Sequence, residues 1–237
     1  MTDKPLAGQL ALVTGASRGI GAATAETLAA LGAHVVLTAR TSGGLEELED
    51  RIHAAGGSAT IAPLDLTESD SIARLATAIG GRWNALDILV MNAAMLGELS
   101  PVPSIDGKQF NKLLTLNVLA NQALIANFDA LLRKSLRGRV IAITSSVGQR
   151  PRAYWGAYGA SKAALETLTL AYGDEVERIS SIRVAIIDPG ATATKMRANA
   201  FPGEDSSMIA QPAEVGAAIA KLVVDDFPSG FRTRIGG

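Results

Sequence analysis

A tyrosine and a lysine stand four residues apart in the second half of the chain, and a serine precedes the tyrosine by thirteen residues. On a helix, Tyr158 and Lys162 would place their side chains on one face. A free phenol, with a pKa of about 10, is a weak acid–base catalyst at neutral pH. A neighbouring ammonium stabilises the phenolate and lowers that pKa, while a hydroxyl such as that of Ser145 could stabilise charge developing on an oxygen. This spacing predicts proton transfer to or from the oxygen of a carbonyl or an alcohol.

A glycine-rich turn near the N-terminus could bind a phosphate group. Gly15, Gly19 and Gly21 follow a hydrophobic run and begin an alanine-rich one, with Ser17, Arg18 and Ile20 between them. Gly15 would allow a tight exit from a strand, Gly19 would let the backbone approach a pyrophosphate, and Gly21 would let the helix pack closely. Free N–H groups and the helix dipole favour an anion there. With a strand before and a helix after, the turn predicts a dinucleotide site.

The end of the second candidate strand, Val35–Ala39, is where a preference for NADP or NAD should be decided. An acidic residue at that point would pair with a ribose 2′-hydroxyl, whereas an arginine would receive a 2′-phosphate. This chain has Arg40 there and no carboxylate, and Arg18 lies in the glycine turn. Arg40 could instead be a solvated turn residue, and Arg18 could cap the loop. We expect NADP(H) to be preferred, with NAD(H) still open.

These residues lie among short β-branched runs that alternate with long alanine- and leucine-rich stretches. Such alternation is typical of βαβ units, with a parallel sheet covered by helices on both faces. The candidate strands are Leu10–Thr14, Val35–Ala39, Ala59–Leu64, Ile88–Met91, Val140–Thr144, Val184–Ile187 and Phe231–Ile235. The candidate helices are Gly19–Leu31, Leu45–Ala55, Ser69–Ile79, Gly107–Leu132, Ala157–Ile179 and Ala213–Val224. We therefore expect a three-layer α/β/α Rossmann fold, a doubly wound parallel sheet of about seven strands.

One domain accounts for the whole chain. Its 237 residues suffice for a single well-packed domain, so we expect residues 1–237 to form one NAD(P)-binding unit. The one long irregular stretch, Gly190 to Gln211, is typical of a substrate lid.

The composition excludes several kinds of function. A formal charge of −1 gives no basic surface for nucleic acid, and no apolar run is long enough to span a membrane. With no cysteine and only two histidines, we expect no metal site. The N-terminus does not resemble a signal peptide, and we expect a cytoplasmic protein.

Taken in order along the chain, these motifs resemble the short-chain dehydrogenase/reductase family. The turn Thr14–Gly21 is followed by Asn92-Ala93-Ala94, Asn117, Ser145, Tyr158 with Lys162, and Pro189-Gly190 with Thr194. Two further segments, 152–158 and 195–202, resemble a poorly characterised bacterial branch of that family. The resemblance covers nearly the whole chain but indicates no particular substrate.

The resemblance implies a role for each matching residue. Tyr158 would be the acid–base group, Lys162 would also contact the nicotinamide ribose, and Asn117 would hold a water that resupplies protons. Thr144 and Ser146 compete with Ser145 as the catalytic hydroxyl, and the family motif favours Ser145. Tyr154 is a rival acid, but it has no lysine four residues later. The implied cofactor contacts beyond the glycine turn, Tyr158 and Lys162 are Asp65, Leu66, Asn92, Ala93, Ala94, Pro189, Gly190, Thr192 and Thr194; Asp65 could equally cap the helix near Ser69.

The expected activity is hydride transfer between NADP(H) and a small-molecule carbonyl or secondary alcohol. A non-catalytic dinucleotide-binding regulator, an NAD-dependent alcohol dehydrogenase, and an epimerase or dehydratase on the same scaffold remain alternatives. Relatives commonly assemble through the helices predicted at Gly107–Leu132 and Ala157–Ile179. We therefore expect a homo-oligomer, a dimer or tetramer.

Overall fold

The structure, a computed structural model, describes residues 4–235, and in this range seven parallel strands form one sheet. The order across the sheet is β3-β2-β1-β4-β5-β6-β7, which is the doubly wound arrangement expected. The strands are β1 (Leu10–Thr14), β2 (His34–Ala39), β3 (Ser58–Pro63), β4 (Ile88–Met91), β5 (Arg139–Ile143), β6 (Arg183–Asp188) and β7 (Phe231–Arg234). Each predicted strand is confirmed to within one residue at either end. The predicted domain limits 1–3 and 236–237 lie outside the described residues.

Helices cover both faces of this sheet. They are α1 (Gly19–Ala30), α2 (Gly43–Ala54), α3 (Ser71–Gly80), α4 (Gly107–Leu114), α5 (Ala120–Leu132), α6 (Gly156–Val176), α7 (Lys195–Ala200) and α8 (Pro212–Val224). Side chains alternate between the faces along each strand: Ala11 and Val13 pack with α1, α2 and α8, whereas Leu10 and Leu12 pack with α3, α5 and α6. The sheet is therefore buried on both sides, and the three-layer fold class is confirmed.

Two expectations about the connecting segments are wrong. The helix predicted over Gly107–Leu132 is interrupted by a π-helical segment, Thr115–Leu119, between α4 and α5. The Asn121 amide donates to the carbonyl of Asn117 (2.9 Å) inside this wider turn, which compensates for altered helical bonding. The stretch Gly190 to Gln211 is not irregular throughout, because it contains α7 and a 3₁₀ turn at Ser206–Met208.

The strand directions decide where a site can form. Because all seven strands are parallel, the segments that leave their carboxyl ends emerge at one edge of the sheet. The glycine turn follows β1, Arg40 follows β2, and Ser145 follows β5. Over residues 4–235, no helix combines the length and the apolar character needed to cross a bilayer.

Candidate active site

The glycine turn after β1 has the backbone geometry of a close-approach loop. Gly15 has φ +65°, a left-handed conformation that side chains disfavour, and a Cβ there would lie 2.9 Å from Cα of Ala93. A Cβ on Gly21 would lie 2.4 Å from the carbonyl oxygen of Gly15. Within the described chain, α1 begins with no capping side chain and no acidic residue in its first turn. Its first N–H groups are thus left for an anion, and the residues fit a dinucleotide pyrophosphate.

Asn92 connects the glycine turn to the neighbouring strand. Its Nδ2 donates to the carbonyls of Thr14 (2.8 Å) and Gly15 (3.2 Å), and the N–H groups of Asn92 and Ala93 both donate to Oγ1 of Thr14 (3.0 Å each). The segment after β4 is therefore tied to the end of β1 by four hydrogen bonds. Both amide protons of Asn92 are used in shaping the turn, while Ala93 and Ala94 remain partly exposed beside it.

Two arginines follow the paired strands β1 and β2. These strands are in register from Leu10 with His34 to Thr14 with Thr38; Arg40 directly follows β2, and Arg18 directly precedes α1 in the glycine turn. Both side chains are exposed, and neither has a hydrogen-bonded or ionic partner within residues 4–235. Two guanidinium groups available in this position fit a ribose 2′-phosphate.

Asp65 lies on the same edge, after β3. Its Oδ1 accepts from both the N–H (2.9 Å) and the hydroxyl (2.7 Å) of Thr67. These bonds lower the pKa of Asp65, and the charge of Arg40 adds to the lowering. The alternative that Asp65 caps a helix is wrong, since α3 begins at Ser71 with Asp70 before it. Leu66 beside it is buried.

Tyr158 and Lys162 lie on one face of α6, as predicted, and both are buried, with 7% and 3% of their surface exposed. The Nζ of Lys162 donates to the carbonyl of Ile143 (2.8 Å) and lies 5.7 Å from the centroid of the Tyr158 ring. An ammonium has three donors, so two remain for other partners. Burial lowers the pKa of Lys162 to about 8, opposed by the negative charge of Glu166.

The pKa of the Tyr158 phenol is shifted in the direction opposite to the one predicted. Burial raises the pKa of Tyr158, and the carboxylate of Asp188 raises it further. The lowering expected from Lys162 is therefore outweighed by desolvation in this structure. Tyr158 keeps its proton at neutral pH, which is the form able to donate to a substrate oxygen.

The turn carrying Ser145 lies directly on α6. A Cβ on Gly159 would lie 2.8 Å from the carbonyl oxygen of Val147, so only glycine allows this approach without displacement. Ser145 is extended (φ −161°, ψ 148°) and partly exposed, and its hydroxyl has no hydrogen-bond partner in the described part of the chain. It thus has a free hydroxyl on the segment nearest to the Tyr158 helix.

Three residues are rivals of Ser145 and Tyr158 for these assignments. The hydroxyl of Thr144 is buried and donates to Oε1 of Glu166 (2.6 Å), so it is not available to a substrate. Ser146 begins the 3₁₀ turn Ser146–Gly148. Tyr154 is 61% exposed, outside α6 and with a left-handed φ of +70°, which leaves it far less enclosed than Tyr158. Tyr158 remains the candidate acid.

Asn117 is fully buried in the π-helical segment, and its side chain is already fully engaged as a donor. Its Oδ1 accepts from the N–H of Met95 (2.9 Å), and its Nδ2 donates to the carbonyl of Met95 (2.9 Å) and to Oγ of Ser161 (3.0 Å). These contacts attach the segment after β4 to α6 beside Lys162. The water-holding role stays a prediction.

After β6, Pro189 and Gly190 turn the chain towards the lid. The N–H of Gly190 donates to Oδ1 of Asp188 (3.0 Å), and Oγ1 of the buried Thr192 donates to the carbonyl of Pro189 (3.0 Å). Thr194 caps α7 by accepting from the N–H of Arg197 (3.2 Å). Its Cγ2 is the atom nearest to a Cβ built on Gly19, so Thr194 adjoins the glycine turn.

The lid packs over the candidate acid. The Sδ of Met196 in α7 lies 3.9 Å from the hydroxyl of Tyr158. Phe201 stacks on Trp155 with ring centroids 5.7 Å apart, and the guanidinium of Arg197 lies 3.6 Å from the Phe201 ring centroid. Residues of the 190–211 segment thus pack over Tyr158, and the role of this segment as a lid stays a prediction. A separate cavity of about 550 Å³ lies at the opposite edge, where Arg139 and Arg183 begin β5 and β6, and none of the predicted site residues lines it.

Sequence reasoning missed three contributors to this site. Met196 lies in the predicted lid, but no local pattern indicated that its side chain or that of Asp188 would lie near Tyr158. Glu166 could have been found, because it stands four residues after Lys162 and therefore on the same helix face.

Comparison with known proteins extends these observations. The short chain dehydrogenase family model matches residues 9–205. The uncharacterized oxidoreductase YciK of Escherichia coli K12 is 36% identical over 221 residues, covering 92% of this chain and 87% of its own. A short chain dehydrogenase structure from Pseudomonas syringae superposes with a TM-score of 0.94 at 36% identity, covering 98% of this chain and 96% of that one. Another, from Escherichia coli CFT073 in complex with NADPH, gives 0.91 at 35% identity and covers 99% of both chains.

Proposed function

The chain belongs to the short-chain dehydrogenase family of oxidoreductases, and on that premise we propose that it is an NADPH-dependent reductase of small-molecule aldehydes or ketones. The observation that carries the proposal is the buried Tyr158–Lys162 pair beside a glycine turn at the carboxyl edge of the sheet. The Tyr158 phenol keeps its proton at neutral pH, so it enters carbonyl reduction as the proton donor.

The preference for NADPH rests on two supports. Arg18, at the start of α1, and Arg40, directly after β2, are both exposed, and no carboxylate directly follows β2. The similar structure from Escherichia coli CFT073 is a complex with NADPH. In this proposal the glycine turn and the first turn of α1 hold the pyrophosphate, and the two arginines hold the 2′-phosphate. The segments after β3, β4 and β6, including Asp65, Asn92 and Thr194, complete the binding site.

In the reaction, bound NADPH supplies the hydride, and the chain's own residues handle the oxygen and the proton. Ser145 donates a hydrogen bond to the carbonyl oxygen and stabilises its developing negative charge. Tyr158 donates the proton from its hydroxyl to that oxygen. The ammonium of Lys162 stabilises the phenolate that remains, since its Nζ lies 5.7 Å from the ring centroid. The lid, with Met196 over the phenol, excludes water from the reacting atoms.

A direct test is the loss of NADPH absorbance with a panel of aldehydes and ketones, using the wild type, Tyr158→Phe and Tyr154→Phe. Tyr158→Phe keeps the ring but removes the transferable proton, so turnover should fall by roughly 10²- to 10⁴-fold. NADPH affinity, followed by fluorescence, should stay within about twofold of the wild type. The exposed Tyr154 is the matched control and should keep full activity.

Two outcomes would overturn the proposal. Undiminished turnover by Tyr158→Phe would remove the phenol from the chemistry. Tight NADPH binding by the wild type with no turnover of any carbonyl would favour a dinucleotide-binding regulator instead.

We also propose that residues 1–237 act as one catalytic domain within a homo-oligomer. Leu119, in the π-helical segment between α4 and α5, is 60% exposed, which supports a contact with a second copy at this point of the predicted interface. Light scattering after size exclusion should report a dimer or tetramer; the mass of one subunit would contradict this assembly.

A further inference from the structure

Glu166 is a buried carboxylate to which the proposed reaction has so far assigned no role. It lies on α6 one turn after Lys162, with 4% of its surface exposed. Its Oε1 accepts from the hydroxyl of Thr144 (2.6 Å), and its Oε2 accepts from Nε2 of Gln149 (3.1 Å) and from the Arg232 guanidinium. Burying a carboxylate is costly unless donors surround it, and here three do.

Two of the three donors flank the turn that carries Ser145. Thr144 immediately precedes Ser145, and Gln149 immediately follows the 3₁₀ turn Ser146–Gly148. One carboxylate therefore binds the segment that carries Ser145 at both of its ends. Because Glu166 belongs to the same helix as Tyr158 and Lys162, it connects the hydroxyl donor to the acid–base pair.

Arg232 fixes the carboxylate from a third direction. It lies on β7, one of the two edge strands, which pairs with β6 in register from Ala185 with Phe231 to Asp188 with Arg234. The guanidinium donates a charge-assisted hydrogen bond to Oε2, and the two carboxylate oxygens together accept all three donors. A carboxylate has no donor of its own, so it can satisfy three donors where an amide would place N–H against N–H.

We propose that Glu166 is a positioning residue for this active site: its carboxylate holds the Thr144–Gln149 segment on α6, so that the Ser145 hydroxyl reaches the substrate oxygen. Its positioning effect is exerted through Ser145 and not by contact with substrate or cofactor. The support that its charge gives to the Lys162 ammonium is a separate effect, which is kept out of the comparison by measuring kcat well below pH 8. This inference rests on the proposed reductase function.

The test measures kcat and KM for NADPH-dependent carbonyl reduction by Glu166→Ala, alone and combined with Ser145→Ala. Displacement of the serine by about 1 Å costs on the order of 10²-fold, so we expect Glu166→Ala to lower kcat about 10- to 100-fold. KM for NADPH and its affinity by fluorescence should change little. In the Ser145→Ala background the same substitution should lower kcat by about twofold or less, because the effect acts through the missing hydroxyl.

Two further variants keep the test decisive. Glu175→Ala removes an exposed carboxylate from the same helix and should leave kcat unchanged. Thr144→Val removes one of the three bonds, keeps the ion pair with Arg232, and should lower kcat about 2- to 10-fold with the same dependence on Ser145. A thermal melt would reveal whether Glu166→Ala folds. If it does not, Thr144→Val tests the inference, because its loss of kcat should be smaller when Ser145 is also replaced.

The inference is overturned if folded Glu166→Ala keeps the wild-type kcat, or if its loss of kcat is equally large with and without Ser145. Equal losses would mean that the carboxylate serves general stability or acts elsewhere. An inactive wild type contradicts the reductase proposal itself, whereas an active wild type with these results contradicts only the role of Glu166.

Discussion

The ammonium of Lys162 donates to the main-chain carbonyl of Ile143 at 2.8 Å, two residues before Ser145. This bond joins α6 to the end of β5, so the strand that leads to Ser145 also orients the lysine. The two remaining N–H groups of the ammonium stay available to hydrogen-bond a cofactor hydroxyl, and its positive charge acts on Tyr158. Catalysis should therefore depend on the charge state of one buried lysine.

The first prediction concerns pH. Burial lowers the pKa of Lys162 to about 8, so above that pH the folded enzyme loses the ammonium that stabilises the phenolate. We expect kcat for carbonyl reduction to be constant near neutrality and to fall as pH rises through about 8. Lys162→Arg keeps its charge at every accessible pH, so its lower activity should lack this decline. A wild-type rate that stays level up to a pH of about 10 would contradict the role of Lys162.

The second prediction concerns stability. The pKa of Lys162 is below the ordinary value of 10.5, so between about 8 and 10.5 the unfolded chain binds more protons than the folded protein. Below pH 8 the free energy of unfolding is therefore reduced by the whole cost of burying the ammonium. This cost disappears as pH rises from about 8 to 10.5. Lys162→Met should be inactive yet melt a few degrees higher than the wild type at neutral pH, with a smaller advantage near pH 10.

The control for this stability effect is Lys108→Met, which removes an exposed lysine and should leave the melting temperature nearly unchanged. If Lys162→Met instead melts well below the wild type, the bond to Ile143 outweighs the desolvation of the ammonium.

The third prediction concerns cofactor choice. Arg18→Ala and Arg40→Ala should each weaken NADPH binding by roughly 10- to 100-fold, since a hydrogen bond to a charged group contributes about 1.5–3 kcal/mol. Binding of NADH, which lacks the 2′-phosphate, should change by less than about threefold. Titration by fluorescence measures both. Arg178→Ala, an exposed arginine on another part of the surface, is the matched control. Equal weakening for both cofactors would mean that these arginines do not read the 2′-phosphate.

The fourth prediction concerns the contact between α6 and the Ser145 turn. A methyl group on residue 159 would lie 2.8 Å from the carbonyl oxygen of Val147, so Gly159→Ala must displace the turn. We expect kcat to fall by on the order of 10²-fold with NADPH affinity retained. Gly107→Ala adds its methyl at the start of α4, where nothing lies within 4 Å, and should keep full activity. Normal kinetics in Gly159→Ala would show that the turn tolerates displacement.

The sequence by itself determined the architecture and the central pair. Alternating β-branched and alanine-rich runs predict a doubly wound sheet, because the strands of a parallel sheet are buried on both faces by the helices between them. The predicted strands match those observed. The spacing of Tyr158 and Lys162 is local, so the helix alone puts them on one face. The glycine turn was recognisable for the same reason, since its φ angles and its helix dipole depend on consecutive residues.

The tertiary structure alone decided which groups surround that pair. Glu166 meets Thr144 and Arg232 across 22 and 66 residues of chain, and Met196 reaches Tyr158 across 38. Contacts of this kind depend on strand register and on how loops fold over the sheet edge, neither of which a local pattern encodes. The π-helical segment at Asn117 arises in the same way, because the side chain bonds Met95 and Ser161 from other segments. Local spacing therefore specifies which residues can take part in catalysis, while packing across the sheet decides their protonation states and the orientations of their side chains.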